Sequence, residues 1–187
     1  DGVGARSSAL GSPVDREARK KAALEAARRL GTKAPHMEDF PDNRLDSVPL
    51  LDVVQAVEAY AVDCEPEVVY THHSADLNVD HRLVHEAVMT AFRPQSPTSV
   101  STILCFETPS STEWRAPTDT HGFLPNWFVD IRETLDQKRA ALLSYSAEMR
   151  PFPHPRSVRA IEALAEWRGA SVGYNAAEAF VVARHVR

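Results

Sequence analysis

The stretch Glu67-Val68-Val69-Tyr70-Thr71-His72-His73-Ser74-Ala75-Asp76-Leu77-Asn78-Val79-Asp80-His81-Arg82-Leu83-Val84-His85 decides the fold. Its first five residues form a β-branched and aromatic run of the kind buried in a parallel sheet. A polar loop follows, from Thr71 to Asp80. Then Leu83, Val84, Ala87, Val88 and Ala91 recur at helical spacing and stop before Pro94. Strand, polar loop and helix in that order form the repeating unit of an open α/β sheet, in which ligands bind beyond the carboxyl ends of the strands. The histidines and aspartates of this loop therefore stand where chemistry is usually done.

Working outward, the alternation continues on both sides. Val14, Ala18, Ala22, Ala26 and Leu30 recur every four positions and Gly31 follows, which predicts an amphipathic helix with a C-terminal stop. Arg16, Arg19, Lys20 and Lys21 read as its solvated face. A second helix is predicted from about Pro49 to Asp63, with Leu50, Val53, Val54, Val57 and Ala61 inward. Downstream, a strand is expected over Val100 to Phe106, then an irregular Pro- and Ser-rich stretch to Asn126. A helix from about Thr134 to Met149 follows, broken by Pro151, Pro153 and Pro155. Ser157 to Arg168 reads as a last helix ended by Gly169, and Glu178 to Arg184 as a closing strand. The pattern predicts an α/β fold with a mostly parallel sheet, forming a single domain over residues 1–187.

The bulk numbers bound the function. With 187 residues and 43% hydrophobic content, the chain can bury a core of its own. Its 26 Asp and Glu outnumber 21 Lys and Arg, a net charge of −5, which argues against nucleic acid as a partner. No apolar run reaches membrane-spanning length, so no membrane span is expected. Cys64 and Cys105 lie near apolar runs without CxxC spacing, so both are expected as buried thiols in a reducing, cytoplasmic compartment. The start, Asp1-Gly2-Val3-Gly4, has no initiator Met and reads as a loop leaving a preceding element.

Between Thr71 and His85 lie four histidines and two aspartates. Imidazole nitrogen together with carboxylate oxygen suits a divalent metal of zinc type, whereas an all-oxygen calcium or magnesium site has no need of histidine. His81 and His85 are four apart, but Arg82 stands where HExxH requires Glu, which excludes the zincin motif. His85, one turn further along, reads as a surface histidine. Asp80-His81 at the junction of loop and helix is better placed to hold a metal. The bland alternative makes Asp80 an N-cap and His81 a first-turn residue.

The run His72-His73-x-x-Asp76-x-Asn78-x-Asp80-His81-Arg82 resembles the HHxxDxNxDHR motif of bacterial LmbE/PIG-L deacetylases. The resemblance extends to Asp1–Ser7, Phe40–Asp46, Glu107–Trp114, Pro125–Ile131, Pro153–Ser157, Arg168-Gly169 and Ala177–Phe180. It implies a Rossmann-like three-layer sandwich whose first strand or strands lie upstream of Asp1, and one zinc ion (Zn2+) used to remove N-acetyl groups from aminosugars or aminosugar conjugates. It further implies His81 as zinc ligand, Asp80 in the shell that supports the site, Arg6 as a sugar contact and Asp42 as a hydroxyl-binding carboxylate. The family often has a histidine where this chain has Asn78. Donation to the developing oxyanion then falls to Asn78, His72, His73 or His154.

The family's AHPDDE-like segment, which supplies further zinc ligands and the general base, does not occur between Asp1 and Arg187 and is expected upstream of Asp1. With such a segment the chain is a deacetylase; with other residues in its place it is a non-catalytic sugar-binding or assembly module. A sugar-conjugate amidase is the rival within hydrolases. A nucleotide-binding domain is disfavoured, because no GxGxxG or Walker-type loop is present. The expected partner is a small aminosugar or glycoconjugate, and a homo-oligomer is compatible with the sequence.

Overall fold

The structure is a computed structural model that describes residues 13–95, 99–116 and 122–187. Its helices are α1 (Pro13–Leu30), α2 (Leu50–Cys64), α3 (Val79–Ala91), α4 (Leu135–Leu143) and α5 (Val158–Ala170). Its strands are β1 (Val68–His72), β2 (Thr102–Phe106), β3 (Trp127–Asp130) and β4 (Ala177–His185). The strands form one sheet in the order β1-β2-β4-β3. The chain divides into two compact units, residues 1–42 with 128–178 and residues 43–127 with 179–187, each discontinuous in sequence.

The α/β fold expected from the sequence is present, and the described sheet contains both parallel and antiparallel pairs. Val68 to His72 run parallel to Thr102 to Phe106, whereas β2 and β4 are antiparallel, from Thr102 opposite His185 to Phe106 opposite Phe180. Parallel neighbours need a long crossover, and β1–α3–β2 is such a unit. β4 instead returns beside β2 in the opposite sense.

In the unit of residues 43–127 and 179–187, Val88, Val100 and Ile103 form a core joined by Val57, Val69, Val84, Met89 and Phe92. Helix α3 packs against both α2 and β1. β2 is buried from Thr102 to Cys105, as expected of a central strand. β1 departs from expectation. Among the described strands it lies at the end of the sheet order, and Val68 and Tyr70 are 44% and 53% exposed there. The thiols also differ: Cys105 is buried, but Cys64, on the last turn of α2, is exposed.

In the unit of residues 1–42 and 128–178, α1 ends at Gly31 in the left-handed conformation (φ 69°), as the sequence predicts. Among its described side chains Ala26 and Ala27 are buried, while Leu30 is exposed. Arg19 is not part of a purely solvated face, since it is half-buried and paired with Glu148. The helix expected to reach Met149 stops at Leu143. Beyond it Ser144 and Tyr145 bond back only three residues, which tightens the chain into turns.

Gly169 does not end the last helix but lies inside it and is buried. A Cβ there would stand 2.7 Å from Ala176 Cα and N and from Tyr174 O, so the glycine is required by close backbone approach. The helix starts at a Ser157 cap, whose Oγ accepts from Ala160 N at 3.1 Å.

Candidate functional site

The loop between β1 and α3 is organised around one carboxylate. Asp76 is fully buried, and its Oδ1 accepts the Asn78 N–H at 2.9 Å. The Ser111 hydroxyl donates to the same oxygen, and the Thr112 hydroxyl donates to Oδ2 at 2.7 Å. His81 Nδ1 lies 3.0 Å from Oδ1, at ion-pairing distance, although its alignment falls short of an ideal hydrogen bond. Burial alone would raise the Asp76 pKa. The nearby His81 Nδ1, together with hydrogen bonds from Ser111, Thr112 and the Asn78 N–H, outweighs it and holds the carboxyl well below its usual range, so Asp76 is an anion at neutral pH.

His81 is restrained from a second direction. The His72 ring stacks on it with centroids 3.9 Å apart and planes 6° apart. Burial, followed by the proximity of His81, pushes the His72 pKa down to about 4, so His72 is neutral in the physiological range and can stack without charge repulsion. With Nδ1 facing Asp76, the His81 Nε2 makes no hydrogen bond among the described residues. A histidine with a carboxylate behind one nitrogen and the other left open is the arrangement found behind metal-bound imidazoles.

The helix N-terminus explains two further residues. Asn78, not Asp80, is the N-cap of α3, its Oδ1 accepting the Asp80 N–H at 2.8 Å. Asp80 instead turns its carboxylate to the backbone of the preceding segment, accepting from Asn43 N at 2.5 Å and Leu45 N at 3.0 Å. Asn43 sits at φ 54°, a conformation that asparagine tolerates. Asp80 therefore fixes the segment after Asp42, while the carboxylate that meets His81 is Asp76.

The remaining expected residues fall as follows. His73 is buried, and its ring meets Phe123 edge-on at 5.4 Å. His85 is not a surface histidine: it is half-buried and its Nδ1 lies 2.9 Å from the His72 carbonyl oxygen, with the Cys105 sulfur 3.7 Å from the same nitrogen. Burial pushes that thiol up to about 11, so Cys105 is no nucleophile at neutral pH. Asp42 and His154 belong to the other unit, where His154 Nδ1 accepts the Arg156 N–H at 3.0 Å. Arg6 lies outside the described residues. Sequence reasoning missed the role of Ser111 and Thr112. They were visible only as part of Glu107–Trp114, 35 and 36 residues beyond Asp76, and no spacing rule links them to it.

Among the described residues no group of three His, Cys, Asp or Glu could hold a metal ion. The buried Asp76–His81 pair suits one imidazole ligand, so the described residues fit a part of a metal site. Among the described residues no helix is long and apolar enough to cross a membrane.

Residues 4–92 match the PIG-L family, described as GlcNAc-PI de-N-acetylase. Among solved structures, the conserved protein TT1542 from Thermus thermophilus is similar with a TM-score of 0.72 and 27% identity, over 95% of this chain and 76% of that one. N,N'-diacetylchitobiose deacetylase from Pyrococcus horikoshii gives 0.69 at 18% identity, over 97% of this chain and 68% of the other. GalB, the 4-carboxy-2-hydroxymuconate hydratase from Pseudomonas putida, gives 0.70 at 18% identity, over 97% and 78%. No curated protein matches the chain. At 18% identity these last two likenesses concern the fold alone, and one fold that carries both a deacetylase and a hydratase does not by itself fix the reaction.

Proposed function

We propose, from the match of residues 4–92 to the PIG-L family, that this chain is a metal-dependent hydrolase that removes the N-acetyl group of an aminosugar or aminosugar conjugate. The observation that carries the reading is the buried Asp76 carboxylate 3.0 Å behind His81 Nδ1, in the loop that resembles the family's deacetylase motif. His81 is the proposed zinc ligand, through Nε2. Asp76 sets its tautomer, and the neutral His72 ring fixes its plane.

Bound there, zinc would supply Lewis-acid polarisation of the acetamide carbonyl and a more acidic water. In the hydrolysis, oxygen from water bonds to the carbonyl carbon and the amide C–N bond breaks. Acetate leaves, and the nitrogen takes up a proton to become a free amine. Asp80 supports the site by holding the backbone at Asn43 and Leu45. Of the side chains proposed as donors to the developing oxyanion, Asn78 suits the role best: its Oδ1 is taken by the Asp80 N–H, which leaves its amide N–H groups to donate. His73 stands behind it as the alternative. Arg6 and Asp42 are proposed as sugar contacts on the motif resemblance alone.

The test is acetate release from N-acetylated aminosugars by zinc-loaded protein, with His81→Ala as the comparison. Release should depend on the metal and vanish in the variant. Near-normal turnover by His81→Ala would overturn the assignment.

A further inference from the structure

The loop after β2 is built to present two hydroxyls. Ser110 adopts a left-handed conformation (φ 68°). The Glu113 carboxylate accepts the Ser110 N–H at 2.6 Å and the Ser111 N–H at 3.2 Å, which closes the turn. Thr112 Oγ1 accepts the Thr108 N–H at 2.7 Å, so the hydroxyl proton is left to point at Asp76. Ser111 is itself buried and donates to the other carboxylate oxygen. Both oxygens of Asp76 thus accept from this loop, and Oδ1 also accepts the Asn78 N–H.

We propose that Ser111 and Thr112 are positioning residues for His81: by fixing both oxygens of Asp76, they hold His81 in the Nδ1–H tautomer and keep Nε2 available as a metal ligand. The inference rests on the reading of His81 given above, but its physical content does not depend on catalysis. A carboxylate with one rotamer and no freedom to turn offers His81 Nδ1 a fixed acceptor. Without the two hydroxyls it can rotate to other donors, and the imidazole loses the partner that selects its tautomer. His72 stacked on the ring cannot replace this, because stacking restrains the plane and does not distinguish the two nitrogens.

The experiment records the 15N shifts of the His81 imidazole in metal-free protein at pH 8, for wild type, Thr112→Val, Thr112→Ser and Ser111→Ala/Thr112→Val. Wild type should show the Nδ1–H tautomer, Thr112→Ser should match it, and the double variant should shift toward Nε2–H. Zinc dissociation constants from chelator competition should rise about 10- to 100-fold in the double variant, as for other partners of metal-bound histidines. If the double variant does not melt cooperatively, Thr112→Val alone supplies the comparison. Wild-type tautomer in a folded variant that lacks the hydroxyl overturns the proposal, and the tautomer decides where the two readouts differ. A tautomer shift together with no acetate release from wild type would sink the deacetylase reading and leave the positioning role standing.

Discussion

Replacing Asp76 by Asn tests whether the buried anion organises this region. Asn has nearly the same shape, so packing is preserved, but the change removes the charge and turns one of the two accepting oxygens into an NH2 group that cannot accept. The carboxylate accepts from Ser111, from Thr112 at 2.7 Å and from Asn78 N at 2.9 Å. Hydrogen bonds to a charged group contribute about 1.5–3 kcal/mol each against about 1 for neutral ones, so neutralising three of them should cost about 3 kcal/mol. For a chain of this length that corresponds to a Tm lower by about 6–12 °C. The effect also has a defined pH dependence. The folded pKa of Asp76 is depressed below its ordinary 3.8, so its stabilisation is fully present above that value and is lost as the pH falls through the folded one. Urea titrations of wild type and Asp76→Asn at pH 7 and pH 3 should therefore show a gap that narrows on acidification. A gap under about 1 kcal/mol at pH 7, or one that widens toward pH 3, would refute the reasoning.

Gly169→Ala would drive a methyl group against the backbone at Tyr174 and Ala176, 2.7 Å away, and should lower stability by about 1–3 kcal/mol in thermal melts; an unchanged Tm would show that the approach relaxes without cost. Asn78→Ala removes the cap of α3 and should cost about 1 kcal/mol, while Asn78→Asp keeps a capping oxygen and should stay within about 0.5 kcal/mol of wild type, both read by urea unfolding.

The sequence by itself determined the local units. The β-branched run before His72, the helical spacing from Leu83 to Ala91, the stop at Gly31 and the position of His81 at a loop–helix junction all follow from patterns a few residues long. These patterns are local because backbone geometry repeats over two or four residues. Gly169 shows the limit of that logic. As a local signal it reads as a helix stop, and only its approach to Ala176 and Tyr174 reveals a glycine kept for space. The exposure of Cys64 and the antiparallel return of β4 beside β2 are likewise set by packing and strand neighbours, which periodicity does not encode.

The site divides in the same way. Its density of histidine and aspartate was legible, and so was the place of His81 at the start of a helix. Which carboxylate meets His81 was not. Asp80 is adjacent in sequence, but on a helix adjacent residues point about 100° apart, and its carboxylate turns to Asn43 and Leu45. Asp76, five residues earlier in the loop, curls back under His81, where Ser111 and Thr112 reach it from the end of the neighbouring parallel strand. The pairing of β1 with β2 brings those residues together, so the tertiary structure chose the partner of a histidine that the sequence had already singled out.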